Sequence, residues 1–271
     1  MKTNPALFSA NELLIAYSNK TMSPVEAIKA ILDHIKNYDK KLNSFRLVDE
    51  EKALESARAS EERWSMGTPA GLVDGVPTTI KDLVATKGWS TRRGSLTTND
   101  KGPWKEDAPL VARLRSNGAV LLGKTTTPEF GWKGVTDSPL TGITRNPWDL
   151  TKTPGGSSGG AAAAAAACFG ALHHGSDGGG SIRMPSGYTG IYGLKPTFGR
   201  VPTWPASSFG TLSHQGPMTR TVDDAALMLT VMSEPDPKDW YALPEQNCDW
   251  RKSLDQTVRG WRIAYSPDLG P

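Results

Sequence analysis

A chain of 271 residues, 37% hydrophobic and 22% charged, can bury one sizeable core and has the balance of a soluble globular protein. Its formal net charge of +3, with no dense basic cluster, argues against a nucleic-acid or acidic-membrane partner. No run of 18 apolar residues suggests a membrane span, and residues 1–6 lack the apolar core of a secretory signal, so a cytoplasmic location is expected. Two distant cysteines, Cys168 and Cys248, and four histidines without a carboxylate cluster give no disulfide framework and no metal spacing.

Two capped helices open the chain. Ser9 with Glu12, and Ser23 with Glu26 behind Pro24, form capping boxes. Val25, Ile28, Ile31, Leu32 and Ile35 then repeat at helical spacing. Residues 45–48 read as a short strand, and 51–66 as a helix with Ala53, Leu54, Ala57 and Trp64 inward. A strand over 76–80 delivers Lys81. A helix over 108–116 leads to a buried strand over 119–122. Residues 138–160 are rich in Gly, Pro, Thr and Ser and predict a long loop, followed by a small-residue helix over the alanine run 161–167. A strand over 171–174 runs into the glycine-rich segment 175–180. Thr221 caps a helix over 222–232, residues 234–249 predict a surface excursion, and 261–265 a final strand. The alternation predicts an α/β fold: a mixed, mostly parallel central sheet covered by helices. We expect one domain over 1–271, with N-terminal helices at about 9–66 and a core at about 70–233.

Three motifs invite a function. Residues 118–125, Gly-Ala-Val-Leu-Leu-Gly-Lys-Thr, match the phosphate-loop pattern and support a nucleotide-binding alternative. Ala-Val-Leu-Leu, however, suits a sheet interior rather than an open turn of amides. Gly155-Gly156-Ser157-Ser158-Gly159 fits a nucleophile elbow, yet no apolar strand precedes it, and His214 is the one downstream histidine placed for a serine–histidine pair. Gly178-Gly179-Gly180-Ser181 is costly to order, because glycine loses the most backbone freedom on folding; such a run suits amides converging on an anion.

These pieces combine. Lys81 within Gly75-Val76-Pro77-Thr78-Thr79-Ile80-Lys81-Asp82, Ser157 within Pro154-Gly155-Gly156-Ser157-Ser158-Gly159-Gly160, the segment Gly175-Ser176-Asp177-Gly178-Gly179-Gly180-Ser181-Ile182-Arg183, and Gly193-Leu194-Lys195-Pro196-Thr197 follow one another in an order that resembles the amidase signature family. Gly88, Arg93-Gly94-Ser95, Gly123-Lys124-Thr125, Glu129-Phe130, Asn146-Pro147-Trp148 and Gly216-Pro217-Met218 extend the resemblance over about residues 10–265. The resemblance implies Ser181 as nucleophile, Ser157 behind a cis peptide as proton relay, and Lys81 as base. It also implies an oxyanion hole at Gly178, Gly179 and Gly180, with Ser158, Asp177 and Arg183 in support. Amide hydrolysis through an acyl-enzyme would then need no metal and no cofactor.

The chemistry is coherent. A serine hydroxyl needs a neighbouring base, and lysine serves as one only when neutral, so its reference pKa of about 10.4 must fall. Burial against the 76–80 strand would lower it, and strand alternation should turn Asp82 away. A small-molecule amide is the expected partner; neither nucleic acid nor membrane is. Within the family, a glutaminase subunit of a tRNA-dependent amidotransferase is the alternative, although residues 205–217 look more like those of stand-alone amidases. The family domain is usually longer, so the C-terminal portion is expected to be missing. That reading predicts an exposed apolar face, doubtful independent activity, and a homo-oligomer or a complementing C-terminal segment; an inactive fragment is the further alternative. Trp132, Trp204 and Tyr188 are aromatic candidates for the pocket wall.

Overall fold

The computed structural model describes residues 4–102, 104–246 and 248–270. Residues 1–3 of the stretch inspected for a secretory signal lie outside them. Helix α1 (Ala10–Ser18) and helix α2 (Pro24–Leu42) both start in the expected capping boxes, each serine accepting from the glutamate N–H while the glutamate carboxylate takes the serine N–H. Helix α3 (Glu50–Met66) follows the short strand β1 (Phe45–Val48) and ends at Gly67 in the left-handed region.

Six strands make the main sheet, in the order β1, β3 (Val120–Thr125), β2 (Pro77–Lys81), β6 (Leu172–Asp177), β8 (His214–Thr219), β7 (Tyr192–Gly193). A separate hairpin joins β4 (Asp137–Ser138) to β5 (Gly142–Ile143). β2 runs parallel to both β3 and β6, whereas β1, β8 and β7 each pair antiparallel with their neighbours. β2, β3, β6 and β7 therefore point one way, and the sheet is the mixed, mostly parallel one expected. Its central strands β2, β3 and β6 are buried almost throughout, although β2 and β6 carry mostly polar residues.

Leu121, Val76 and Ile80 join α1, helix α4 (Pro109–Ser116) and helix α7 (Val222–Met232) in one core. Val120 and Leu122, on the opposite side of β3, pack with α2, α3 and Phe169 in a second. Helix α5 (Gly159–Ala166) lies between β6 and helix α6 (Arg183–Thr189), against β2, β3 and β8 as well. Gly160 makes this approach possible: a Cβ there would collide with the Thr126 backbone and lie 2.7 Å from Ser44 O. The parallel strands β2 and β6 thus end beside the N-termini of α5 and α6, where open α/β sheets hold their ligands.

Three expectations change. β3 continues beyond residue 122 through Gly123, Lys124 and Thr125, because β1 and β2 take up its backbone groups on either side. β6 likewise runs on to Asp177, in register with the antiparallel strand β8, which Gly216 and Pro217 conceal in the sequence. Residues 261–265 are not a strand. Trp261, Ile263 and Tyr265 are exposed, and among the described residues this stretch makes only a turn bond, Trp261 N–H to Val258 O at 3.1 Å. A strand needs a neighbour for its ladder, and none lies beside it among the described residues. Trp240, Tyr241, Val258 and Leu269 are exposed as well.

Candidate active site

Lys81 closes β2 and is fully buried. Its ammonium group donates to three hydroxyls: Ser157 Oγ at 2.8 Å, Ser158 Oγ at 2.8 Å and Ser176 Oγ at 3.0 Å. Burial lowers its pKa to about 7, against the opposing pull of the Asp177 charge. Asp82 is turned away, as alternation predicts. It is held by Arg46 through bonds of 3.1 and 3.0 Å.

Ser157 and Ser158 form the turn into α5, and the Gly156–Ser157 peptide is cis. Gly156 has no room for a side chain, since a Cβ would lie 2.7 Å from Val135 O. Ser158 ties three segments together. Its hydroxyl donates to Ser176 O at 3.1 Å and accepts from Ser176 N–H at 3.2 Å, and its own N–H donates to Ser181 O at 3.2 Å. Ser176, at the penultimate position of β6, is a site residue that sequence reasoning misses. The available signal is its place in the glycine-flanked strand end that also carries Asp177.

Asp177 organises the turn that follows. Its carboxylate accepts from Gly180 N–H at 2.7 Å, Ile182 N–H at 3.1 Å and Arg183 N–H at 3.3 Å, and from the Arg183 guanidinium at 3.0 and 2.9 Å. Burial works to raise the pKa of this acid, but the guanidinium and the three amides hold it well below the usual carboxylate range. The Gly180 amide is thereby committed to Asp177, which corrects its expected place in an oxyanion hole. The amides of Gly178, Gly179 and Ser181 make no hydrogen bond among the described residues. No side chain fills the space beside Gly179, where a Cβ would meet nothing within 4 Å.

The structure brings Lys81, Ser157 and Ser158 into one hydrogen-bonded group. Among the described residues the Ser181 hydroxyl makes no hydrogen bond, but Ser181 lines the same cavity as Ser157, Ser176, Gly178 and Gly179. That cavity measures about 250 Å³, and Trp104, Phe130, Trp204 and Phe209 give it an aromatic wall. Of the three aromatic candidates only Trp204 lines it. Trp132 is 78% exposed and stacks on Phe209 at 5.4 Å between ring centroids, and Tyr188 is also exposed.

The other motifs have structural uses. Residues 118–125 build the buried strand β3, and Lys124 donates to Val84 O at 2.5 Å and to Thr86 and Thr91 Oγ1 at 3.2 Å each. No open turn of amides is left there for a phosphate. His214 Nδ1 faces two backbone carbonyls, Leu212 O at 2.9 Å and Asp177 O at 3.1 Å, and no serine hydroxyl. Among the described residues no three His, Cys, Asp or Glu side chains cluster as metal ligands, and no helix is long and apolar enough to cross a membrane.

Residues 26–271 match the family model described as Amidase. An acylamidase of Rhodococcus erythropolis is 40% identical over 263 residues, which are 97% of this chain and 55% of that protein. A glutamyl-tRNA(Gln) amidotransferase subunit of Alkaliphilus metalliredigens is 42% identical over 255 residues, 93% of this chain and 52% of that one. Among solved structures, a bacterial aryl acylamidase of the amidase signature family superposes with a TM-score of 0.86 at 36% identity, covering 93% of this chain and 53% of that enzyme. The chain spans about half the length of the curated relatives it matches. With its family match running from α2 onward and its sheet shared with these enzymes, the chain belongs to the amidase signature family.

Proposed function

We propose that this chain carries the catalytic group of an amide hydrolase, with Ser181 as nucleophile, Ser157 as proton relay and Lys81 as base. The observation that carries the reading is the fully buried Lys81, whose amine contacts three hydroxyls and no carboxylate. As an ammonium it has three donors for three acceptors. Once neutral it keeps two donors and gains a lone pair. Ser158 gives its proton to Ser176 O, so it remains an acceptor for Lys81. Ser157 is then free to give its proton to the amine and to take one from Ser181.

The cycle follows from that geometry. Ser181 Oγ attacks the amide carbonyl carbon while its proton passes through Ser157 to Lys81. The oxyanion faces the amides of Gly178, Gly179 and Ser181, the donors left free in the turn. The C–N bond breaks, and the amine leaves with the proton returned through Ser157. Water then repeats the route and releases the carboxylate. The cycle calls for no metal or organic cofactor, a small amide is its substrate, and the cytoplasm is the expected setting.

The second reading, a glutaminase half-reaction, is supported by the likeness to the amidotransferase protein of Alkaliphilus metalliredigens. Purified protein assayed with glutamine beside simple aryl and alkyl amides separates the two. Faster turnover of glutamine favours the glutaminase, and faster turnover of the others the stand-alone hydrolase. The shared chemistry is tested with a fluorophosphonate probe and mass spectrometry. The label is expected on Ser181, lost in Lys81→Ala and kept in His214→Ala. A label on Ser157 that depends on His214 overturns the scheme.

A further inference from the structure

Two non-glycine residues of the cavity wall, Arg93 and Phe130, sit in the left-handed region, at φ of 54° and 51°. That conformation is unfavourable for a residue with a Cβ, and it persists only where the surroundings impose it. Here the two impose it on each other. Phe130 N–H donates to Arg93 O at 2.8 Å, and Arg93 N–H donates to Asp82 O at 3.0 Å. Each is followed by a left-handed glycine where a side chain would be crowded. A Cβ at Gly94 would lie 2.5 Å from Thr127 O, and one at Gly131 would lie 2.7 Å from Leu83 Cδ1 and 3.3 Å from Ser157 Oγ. The paired turns are therefore locked beside Ser157.

Both lining residues are exposed, and their side chains are a phenyl ring and a cation without a counterion. Among the described residues the Arg93 guanidinium has no hydrogen-bond or ion-pair partner. The nearby carboxylates are engaged elsewhere: Asp82 by Arg46, Glu129 by Ser95, and Asp177 by Arg183. Lys81, behind the serines, is held toward its neutral form. Arg93 is thus the one unbalanced charge, among the described residues, on a wall that sets four aromatic rings among small and hydroxyl-bearing residues.

We infer that Arg93, set by its paired turn with Phe130, is a specificity residue that receives a carboxylate at the remote end of the substrate. The preferred substrates are then amides whose apolar body carries a second, anionic group. This inference rests on the hydrolase reading for the reaction, but not for the binding. A guanidinium suits the task because it offers paired N–H donors to both carboxylate oxygens and stays charged at any working pH.

The test uses ω-carboxyacyl p-nitroanilides of succinyl, glutaryl and adipyl length, each beside the neutral alkanoyl anilide of equal length. At one chain length at least, the acidic substrate is expected to win in kcat/KM, mainly through KM, by about ten- to a hundredfold, the range of a charge-assisted hydrogen bond. Arg93→Gln should erase that preference, bringing the acidic-to-neutral ratio of kcat/KM close to one, and Arg93→Lys should keep part of it. No preference in the parent protein, or a preference that survives Arg93→Gln, overturns the inference. Calorimetry with non-hydrolysable ketone analogues of the same acids separates the two ideas. Binding that favours the acidic ketone and depends on Arg93, without turnover of any anilide, upholds the subsite and counts against the hydrolase. Turnover of both anilide classes with equal binding of both ketones does the reverse.

Discussion

Lys81 is held by two opposing effects. Burial disfavours its charge, whereas the Asp177 carboxylate favours it, as does donation to three hydroxyl oxygens at 2.8–3.0 Å, and burial prevails with a pKa of about 7. A base must be neutral, so kcat/KM should rise as pH passes upward through about 7 and then level off. A profile flat between pH 6 and 9 would remove Lys81 from the role. Ser176→Ala deletes one acceptor of the ammonium form, so the charged state loses support and the limb should move to lower pH, by up to about one unit. The serines of the 154–160 motif are legible because glycines crowd around them in the sequence. Ser176 is not, because its meeting with Lys81 depends on β2 and β6 lying side by side with 95 positions between the two residues. The Gly180 amide is misread for a related reason: a run of glycines does not reveal which N–H groups a neighbouring aspartate will take.

At the scale of elements, helix α5 fixes where Ser157 sits, because the serine directly precedes the helix's N-cap residue, Ser158. The helix comes close to the sheet only because Gly160 has no side chain. Gly160→Ala should therefore push α5 off β3, costing about 1–3 kcal/mol despite alanine's better helix propensity. Thermal melting reads that loss directly, and labelling of Ser181 by a fluorophosphonate should slow with it. A melting temperature at or above that of the parent would show that the contact yields easily. Helix starts are legible in α1 and α2, since capping boxes and an N-terminal proline are local signals. Strand ends are not. β3 and β6 outrun their apolar residues because neighbouring strands extend the ladder, and 261–265 fails to form one for want of a neighbour. Strand formation is a property of pairs, and a single segment states only half of it.

For the molecule as a whole, buried titratable groups set the response to pH. Lys81 and Lys124 are both lowered by burial to about 7, from an ordinary value of 10.5. Between those values the unfolded chain binds protons that the folded chain does not, so stability rises with pH across that window, by up to about 1.4 kcal/mol per pH unit for each lysine. His173 and His174, lowered by burial to about 3 from 6.5, act in the same sense below pH 6.5, where acidification favours unfolding. Asp39 and Asp224, raised by burial, oppose this trend only in the acid range. Tyr17 sets the upper limit. Burial and then Asp74 push its phenol up, so above its ordinary value of 10 the unfolded chain ionises first and stability falls again. Urea denaturation midpoints measured from pH 5 to 11 should climb to a maximum near pH 10. A midpoint that peaks near neutrality would contradict that ordering. The sheet class and the family are legible from motif order alone. The strand order is not, because it brings together segments that the chain separates by up to about a hundred residues.

The alanine helix has a consequence for how the chain can change over generations. Seven consecutive positions, 159–165, are shut off from solvent while carrying nothing larger than a methyl group. Such a stretch has almost no neighbours in sequence space. A saturation library across it should return glycine, alanine and serine and little else, while exposed helix positions such as Glu55 or Lys36 accept most residues. Innovation in this molecule is thereby steered away from the floor of the site, toward the loops and rings that stand around its mouth.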